Sequence, residues 1–270
     1  MNFLKENKNK IKKILIKELA SNPIKINYNN RCWENLTSSI KKWESKTGIA
    51  IIAEYKRASP TGIINLTADL KNYYQELSDL VAGFSILVNK EWFMGSPAYI
   101  AILREIGWKG PILAKGFIFY KKQIENYATL GATSILLIPK ALGHHELINL
   151  YEYSIKKSVE PLIEVNNFKE AVKIIEILSP KIIGVNARDL ETLTIDKERM
   201  FTTISMLRKE YPDLFIIAES GLKDPEDAVK AMKFGADAYL IGTELMRNSD
   251  RRSFLNKIYN KTLFNTFKSL

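Results

Sequence analysis

The chain has 270 residues, 46% of them hydrophobic, with 40 Lys and Arg against 30 Asp and Glu, a formal net charge of +10. That length could fill one large domain or two, and the lack of Ser/Gly, Pro-rich or low-complexity linkers favours one domain over residues 1–270. No apolar run approaches the roughly 18–20 residues of a membrane span, so no membrane partner is expected, and the lysines are too widely scattered to suggest a nucleic acid partner.

The first residues, "MNFLKENKNKIKK", lack the apolar stretch of a secretory signal. They begin a predicted amphipathic helix with Ile11, Ile14, Leu15 and Leu19 on its apolar side. Its lysines (Lys5, Lys8, Lys10, Lys12, Lys13 and Lys17) read as a solvated face. Cys32 is the only cysteine, which excludes an internal disulfide and fits a reducing cytoplasm. It precedes the main repeat and is a poor nucleophile candidate.

From Gly48 onward, eight short apolar runs alternate with helical patterns. They cover 49–56, 84–89, 111–117, 134–140, 160–166, 181–189, 214–221 and 238–243. Helix signals stand between them: Ser96-Pro97 opens a helix that ends near Gly107. "YKKQIENYATLG" carries a stripe of Ile124, Tyr127, Ala128 and Leu130, and Asp224-Pro225 opens a helix closed at Gly235. Nearly continuous apolar strands belong to parallel sheets covered on both faces. Eight strand–helix units predict a closed (β/α)8 TIM barrel, with residues 1–47 as an N-terminal helical extension. An open doubly wound sheet is the alternative, but no Gly-x-Gly-x-x-Gly follows any strand.

The first run, "GIAIIAEYKRASPTG", places Glu54 and Lys56 on one strand face with Ala50 and Ile52. That pair is either a surface ion pair at a strand end or part of a site. Lys115, Glu164, Arg188 and Glu219 also fall at or near C-terminal strand ends, which share one rim in a barrel. By parity Leu113 lies with Lys115, Leu162 with Glu164, and Ile182 and Gly184 with Asn186 and Arg188. The apolar stacks therefore fill the barrel and the polar groups line its mouth. The last two runs end in Ser220-Gly221 and Gly242-Thr243, where backbone N–H groups can approach a phosphate. Two lysines and two or three glutamates suit acid–base work on a phosphorylated compound. The only histidines, His144 and His145, are adjacent at a helix start and do not converge on a metal, so no metal site is expected.

The segments "IIAEYKRASPTG", "ILAKGFIF", "SILLIPKAL", "LIEV", "IIGVNARDLETL" and "IAESG…AYLIGTELMRNSD" resemble those of the indole-3-glycerol-phosphate synthase family, in order from about Gly48 to Asp250. The resemblance implies Lys115 as general acid, Glu164 and Glu54 as acid–base carboxylates, and Lys56 as a second lysine paired with Glu54. It implies that Asn186 and Arg188 orient the substrate and that Ser59 and Pro60 contact it. Phe93, Phe117, Leu136 and Leu190 would wall the anthranilate ring. Ser220, Gly221, Gly242 and Thr243 would cradle the phosphate, with Glu219 beside it. The implied substrate is an anthranilate-bearing ribulose phosphate, turned over without a cofactor. A cytoplasmic location and a monomer are expected, with an oligomer left open.

Two positions depart from the family pattern. Gly116 stands where Asp usually follows the lysine, so a looser backbone and a lower Lys115 pKa are expected. Ala187 replaces a usual Ser or Asn on the opposite strand face, where little effect is expected. The alternatives are a sugar-phosphate aldolase using Lys115 as a Schiff base and a non-enzymatic basic binding protein. The second is disfavoured because rim glutamates repel nucleic-acid phosphates.

Overall fold

The computed structural model describes residues 3–21 and 33–268; Cys32 and the side chain of Leu19 lie outside what is described. Eight strands among the described residues form a closed parallel barrel. They are β1 (Ala50–Tyr55), β2 (Gly83–Leu87), β3 (Ile112–Lys115), β4 (Ser134–Leu137), β5 (Glu160–Val165), β6 (Ile182–Asn186), β7 (Phe215–Glu219) and β8 (Ala238–Ile241). β1 pairs with both β2 and β8, which closes the ring. Helices separate successive strands, as the expected (β/α)8 barrel requires.

Several strands end earlier than their apolar runs. β3 stops at Lys115 because Gly116 takes φ +157° and the Phe117 N–H turns to the Asn89 side chain. β6 stops at Asn186, whose Oδ1 accepts the Arg188 N–H at 2.8 Å and starts a turn. An unexpected small hairpin pairs Ala58–Ser59 with Gly62–Ile63 in the loop after β1.

Among the described residues, two helices precede the barrel. α2 (Leu36–Thr47) starts at Asn35, whose side chain accepts the Ser38 N–H, and ends at Gly48 in the left-handed region. It sits at the N-terminal ends of the strands. Glu160, the first residue of β5, accepts from both the Thr37 backbone and hydroxyl, and Ser39 donates to Ala82 just ahead of β2. Leu36 and Ile40 are buried there. Glu160 thus helps cap α2, which accounts for its charge at this end of the barrel.

α1 (Phe3–Ser21) lies at the opposite end. The Phe3 N–H donates to Glu191 after β6, and the Phe3 ring packs edge-on to Trp92 after β2. Lys10 pairs with Glu91 and Lys12 with Glu146, 3.1 and 3.2 Å away. All four partners follow C-terminal strand ends, so α1 crosses the barrel mouth. Ile11 and Leu15 are buried as expected, joined by Phe3 and Leu4, whereas Ile14 is only half-buried. Two lysines of the supposedly solvated face therefore tie α1 to barrel loops.

Candidate active site

β1, β3, β5 and β7 each deliver one ionisable side chain to the same buried point. The Lys115 ammonium lies 2.7 Å from Glu219 and 3.2 Å from Glu54. Glu54 also pairs with Lys56, and its side chain is only 3% exposed. The pair is therefore no surface salt bridge. The sheet register explains the convergence: Glu164 stands opposite Gly184, and Asn186 opposite Glu219. Gly184 leaves the space that Glu219 occupies, since a Cβ there would stand 2.0 Å from Glu219 Oε1.

The charges set one another. Burial opposes ionisation of Glu54, but the Lys115 and Lys56 ammoniums outweigh it and bring its pKa down to about 2. Burial also opposes the charged form of Lys115, yet Glu219, Glu54 and Glu164 hold it protonated well above the usual lysine range. The lower Lys115 pKa expected from Gly116 is thus corrected: the Glu219 and Glu54 carboxylates in space outweigh one missing neighbour in sequence. Glu164 is pushed up to about 8, first by burial and then by the nearby Glu219 charge. Glu219 is fully buried, and neither of its oxygens accepts a well-formed hydrogen bond. The Lys115 ion pair at 2.7 Å balances its charge. Its direct partner is Lys115; Glu219 itself stands one residue before the Ser220-Gly221 loop, beside which the resemblance put it.

A cavity of about 230 Å³ opens beside this cluster. Glu54, Lys56, Lys115 and Arg188 line one side. Ser220, Gly221, Gly242 and Thr243 line another, and Ser59 reaches it from the small hairpin. Ser220 and Gly221 both have positive φ, and the Tyr239 hydroxyl holds the Ser220 carbonyl at 2.8 Å. Pro60 sits at the hairpin turn and does not line the cavity. Asn186 is buried and shapes the turn that carries Arg188, whose guanidinium donates to the Leu193 carbonyl at 3.0 Å.

The aromatic residues form a separate packed wall. Phe117 lies 6.3 Å from Phe93 and 6.4 Å from Trp92, ring centre to ring centre. Leu136 is buried in the core, and Leu190 packs against that core. None of Phe93, Phe117, Leu136 or Leu190 lines the cavity itself.

Some residues escaped the sequence reading. Lys223 and Arg247 line the cavity on the side of Ser220–Gly221 and Gly242–Thr243. Asn166 donates to the Asn186 and Arg188 carbonyls at 2.9 and 2.8 Å, stitching the end of β6 in place. Its parity with Glu164 was the available signal. Ala187 is buried, and its carbonyl accepts from Arg199 at 3.0 Å. His144 and His145 are exposed at the start of a helix. Among the described residues, no group of three or more His, Cys, Asp or Glu side chains is placed to hold a metal ion. No described helix is long and apolar enough to cross a membrane.

The family model described as indole-3-glycerol phosphate synthase matches residues 3–258. The protein of that name from Aeropyrum pernix is 40% identical over 219 residues, covering 81% of this chain and 83% of its own length. That from Sulfurisphaera tokodaii is 41% identical over 203 residues, covering 75% and 80%. That from Shouchella clausii is 31% identical over 236 residues, covering 86% and 89%. Among solved structures, a 3-hexulose-6-phosphate synthase aligns with TM-score 0.62 at 10% identity, covering 78% of this chain and 99% of its own. The orotidine 5'-monophosphate decarboxylase from Sulfolobus solfataricus aligns with TM-score 0.60 at 15% identity, covering 81% and 99%. At such identities the structural matches speak for the barrel alone.

Proposed function

The chain belongs to the indole-3-glycerol phosphate synthase family, and from that premise we propose how its side chains divide the reaction. The activity is that of a carboxy-lyase of tryptophan biosynthesis. It converts 1-(2-carboxyphenylamino)-1-deoxyribulose 5-phosphate into indole-3-glycerol phosphate, carbon dioxide and water. One observation carries the assignment: Lys115 is held protonated between Glu54 and Glu219 and faces the cavity.

In ring closure, the aromatic carbon bearing the carboxylate attacks the ketone carbon. Lys115 gives its proton to the ketone oxygen as that bond forms. The bond to the carboxylate then breaks, carbon dioxide leaves, and its electron pair restores the aromatic ring. In dehydration, Glu164 supplies a proton to the departing hydroxyl. Its raised pKa keeps it protonated at neutral pH. Loss of the hydroxyl leaves a strongly acidic cation, so ionised Glu54 is basic enough to take the proton from the adjacent carbon. Once Lys115 has given up its proton, Glu54 also loses part of the charge that suppressed its basicity.

Lys56 bridges Glu54 and the loop at Gly242, and there holds the ribulose phosphate portion. The Ser220–Gly221 and Gly242–Thr243 backbones receive the phosphate, with Ser59 closing over it. Asn186 and Arg188 orient the polar groups nearer the ring, while Phe93, Phe117, Leu136 and Leu190 form the apolar wall behind it. A Schiff-base aldolase needs the neutral amine as nucleophile. The carboxylates around Lys115 favour the opposite form.

The test is turnover of the anthranilate-ribulose phosphate, followed by the fluorescence of its indole product. Lys115→Ala is expected to lower kcat by about 10²–10⁴-fold, the usual worth of a positioned general acid. A folded Lys115→Ala protein with wild-type turnover would defeat the assignment. Borohydride trapping of a lysine adduct would favour the aldolase instead.

A further inference from the structure

The turn that follows Lys115 is held by a side chain from the neighbouring strand. β2 ends at Leu87, in register with Lys115, and the next residue continues the pairing: the Val88 N–H donates to the Lys115 carbonyl at 3.0 Å. One residue further on, the Asn89 side chain reaches over the turn. Its Oδ1 accepts the Phe117 N–H at 2.7 Å. Residues 115 and 117 are thus both tied to the end of β2.

Gly116 is the counterpart of that reach. A Cβ at this position would stand 2.2 Å from Asn89 Oδ1 and 3.1 Å from Val88 Cγ2. Its φ of +157° is also one that L side chains rarely adopt. The absence of a side chain at 116 makes room for the Asn89 amide. The expected loosening of the backbone at glycine is therefore offset by a hydrogen bond from outside the turn.

Asn89 is itself well anchored. Its carbonyl accepts the Gly95 N–H at 3.0 Å, and the Leu87 carbonyl accepts the Ser96 N–H at 3.0 Å. The loop carrying Trp92 and Phe93 thus folds back onto the same strand end. Asn89 is 3% exposed, and its Nδ2 has no hydrogen-bond partner. A buried amide with one unsatisfied end is a poor choice for stability alone.

We propose that Asn89 is a positioning residue for the ring-closing reaction, acting with Gly116 as one unit. It sets the backbone direction at Lys115 and thereby aims the ammonium at Glu54, Glu219 and the cavity. Through the same hydrogen bond it seats Phe117 between Trp92 and Phe93. The inference rests on the reading of Lys115 as the general acid.

Asn89→Ala, Asn89→Asp, Gly116→Ala and the Asn89→Ala/Gly116→Ala double variant test it. Asn89→Ala is expected to lower kcat about 10–100-fold with KM within about threefold, the scale of a misplacement of about 1 Å. Asn89→Asp keeps an acceptor of the same length for the Phe117 N–H and is expected to recover most of that loss. Hydrogen exchange at the Phe117 amide should be slow in wild type and Asn89→Asp and fast in Asn89→Ala. Gly116→Ala should cost less activity in the Asn89→Ala background than alone, because the clashing oxygen is gone.

Asn89→Ser, polar but too short to reach Phe117, replaces Asn89→Ala if the latter fails to fold. Loss of kcat with Asn89→Ala or Asn89→Ser, rescued by Asn89→Asp, supports the proposal. Wild-type kcat in the shortened variant, or equal loss with Asn89→Asp, overturns it. Either overturning result, with Lys115→Ala still inactive, leaves the role of Lys115 standing. Turnover by Lys115→Ala would instead remove the premise.

Discussion

Gly184→Ala probes the buried charge cluster without replacing a charged residue. The added Cβ would sit 2.0 Å from Glu219 Oε1, whereas ordinary contact begins at 3.4 Å. Glu219 must therefore retreat by about 1.4 Å. If it moves directly away from Lys115, the 2.7 Å ion pair opens to about 4.1 Å, costing about 2 kcal/mol at an effective dielectric of about 20. The ammonium then loses part of its anchor, and a displacement of this size costs up to about 10²-fold in rate. Steady-state kinetics by indole fluorescence should show kcat/KM reduced by roughly 30–100-fold, alongside a denaturant titration confirming a folded protein. Glu219→Asp in the same background shortens the side chain and should restore part of the rate. Folded Gly184→Ala with kcat/KM within about threefold of wild type, well short of the loss expected from that displacement, would refute the idea that Glu219 positions Lys115.

Lys56→Ala removes the partner of Glu54 that lies beside Gly242, in the loop proposed to receive the phosphate. KM should rise about tenfold or more in protein shown to be folded; an unchanged kcat/KM would show the pair to be idle. Glu164 gives a pH signature of defined sign. Its folded pKa of about 8 lies above the ordinary carboxyl value of 4.5, so its contribution to stability is complete below pH 4.5 and lost as pH rises through about 8. Glu164→Gln should thus match wild type in stability near pH 4 and exceed it at pH 9 by on the order of 2–4 kcal/mol, measured by denaturant unfolding. Wild-type kcat should fall along an alkaline limb near pH 8, and Glu164→Gln should lack that limb and most activity. Gly242→Ala would place a Cβ 2.2 Å from Glu54 Oε1 and 3.1 Å from Lys56 Nζ. It should raise KM and weaken competitive inhibition by inorganic phosphate; unchanged values would exclude Gly242 from the phosphate site.

Much of the site was legible because a parallel barrel strand has a simple code. Alternation places Leu113 with Lys115 and Leu162 with Glu164, and the rim collects whatever the C-terminal ends carry. What escaped was set by neighbours remote in sequence. Asn166 and Asn89 close the runs "EPLIEVN" and "FSILVN", and nothing in those runs says that one holds the end of β6 and the other the turn after Lys115. The cluster's electrostatics were equally hidden. Gly116 suggested a lower Lys115 pKa, but Glu54 and Glu219 come from other strands and reverse the direction.

Helix caps, apolar runs and strand-end charges are local properties of the chain, and they suffice for the barrel and for placing Lys115, Glu164, Glu54 and Lys56 at one end of it. Register and packing alone decide that Glu219 sits under Lys115, that Glu160 caps α2, and that α1 crosses the mouth. The physical reason is that ionisation and side-chain direction depend on distances of a few ångströms between segments far apart in sequence. Only closing the barrel fixes those distances.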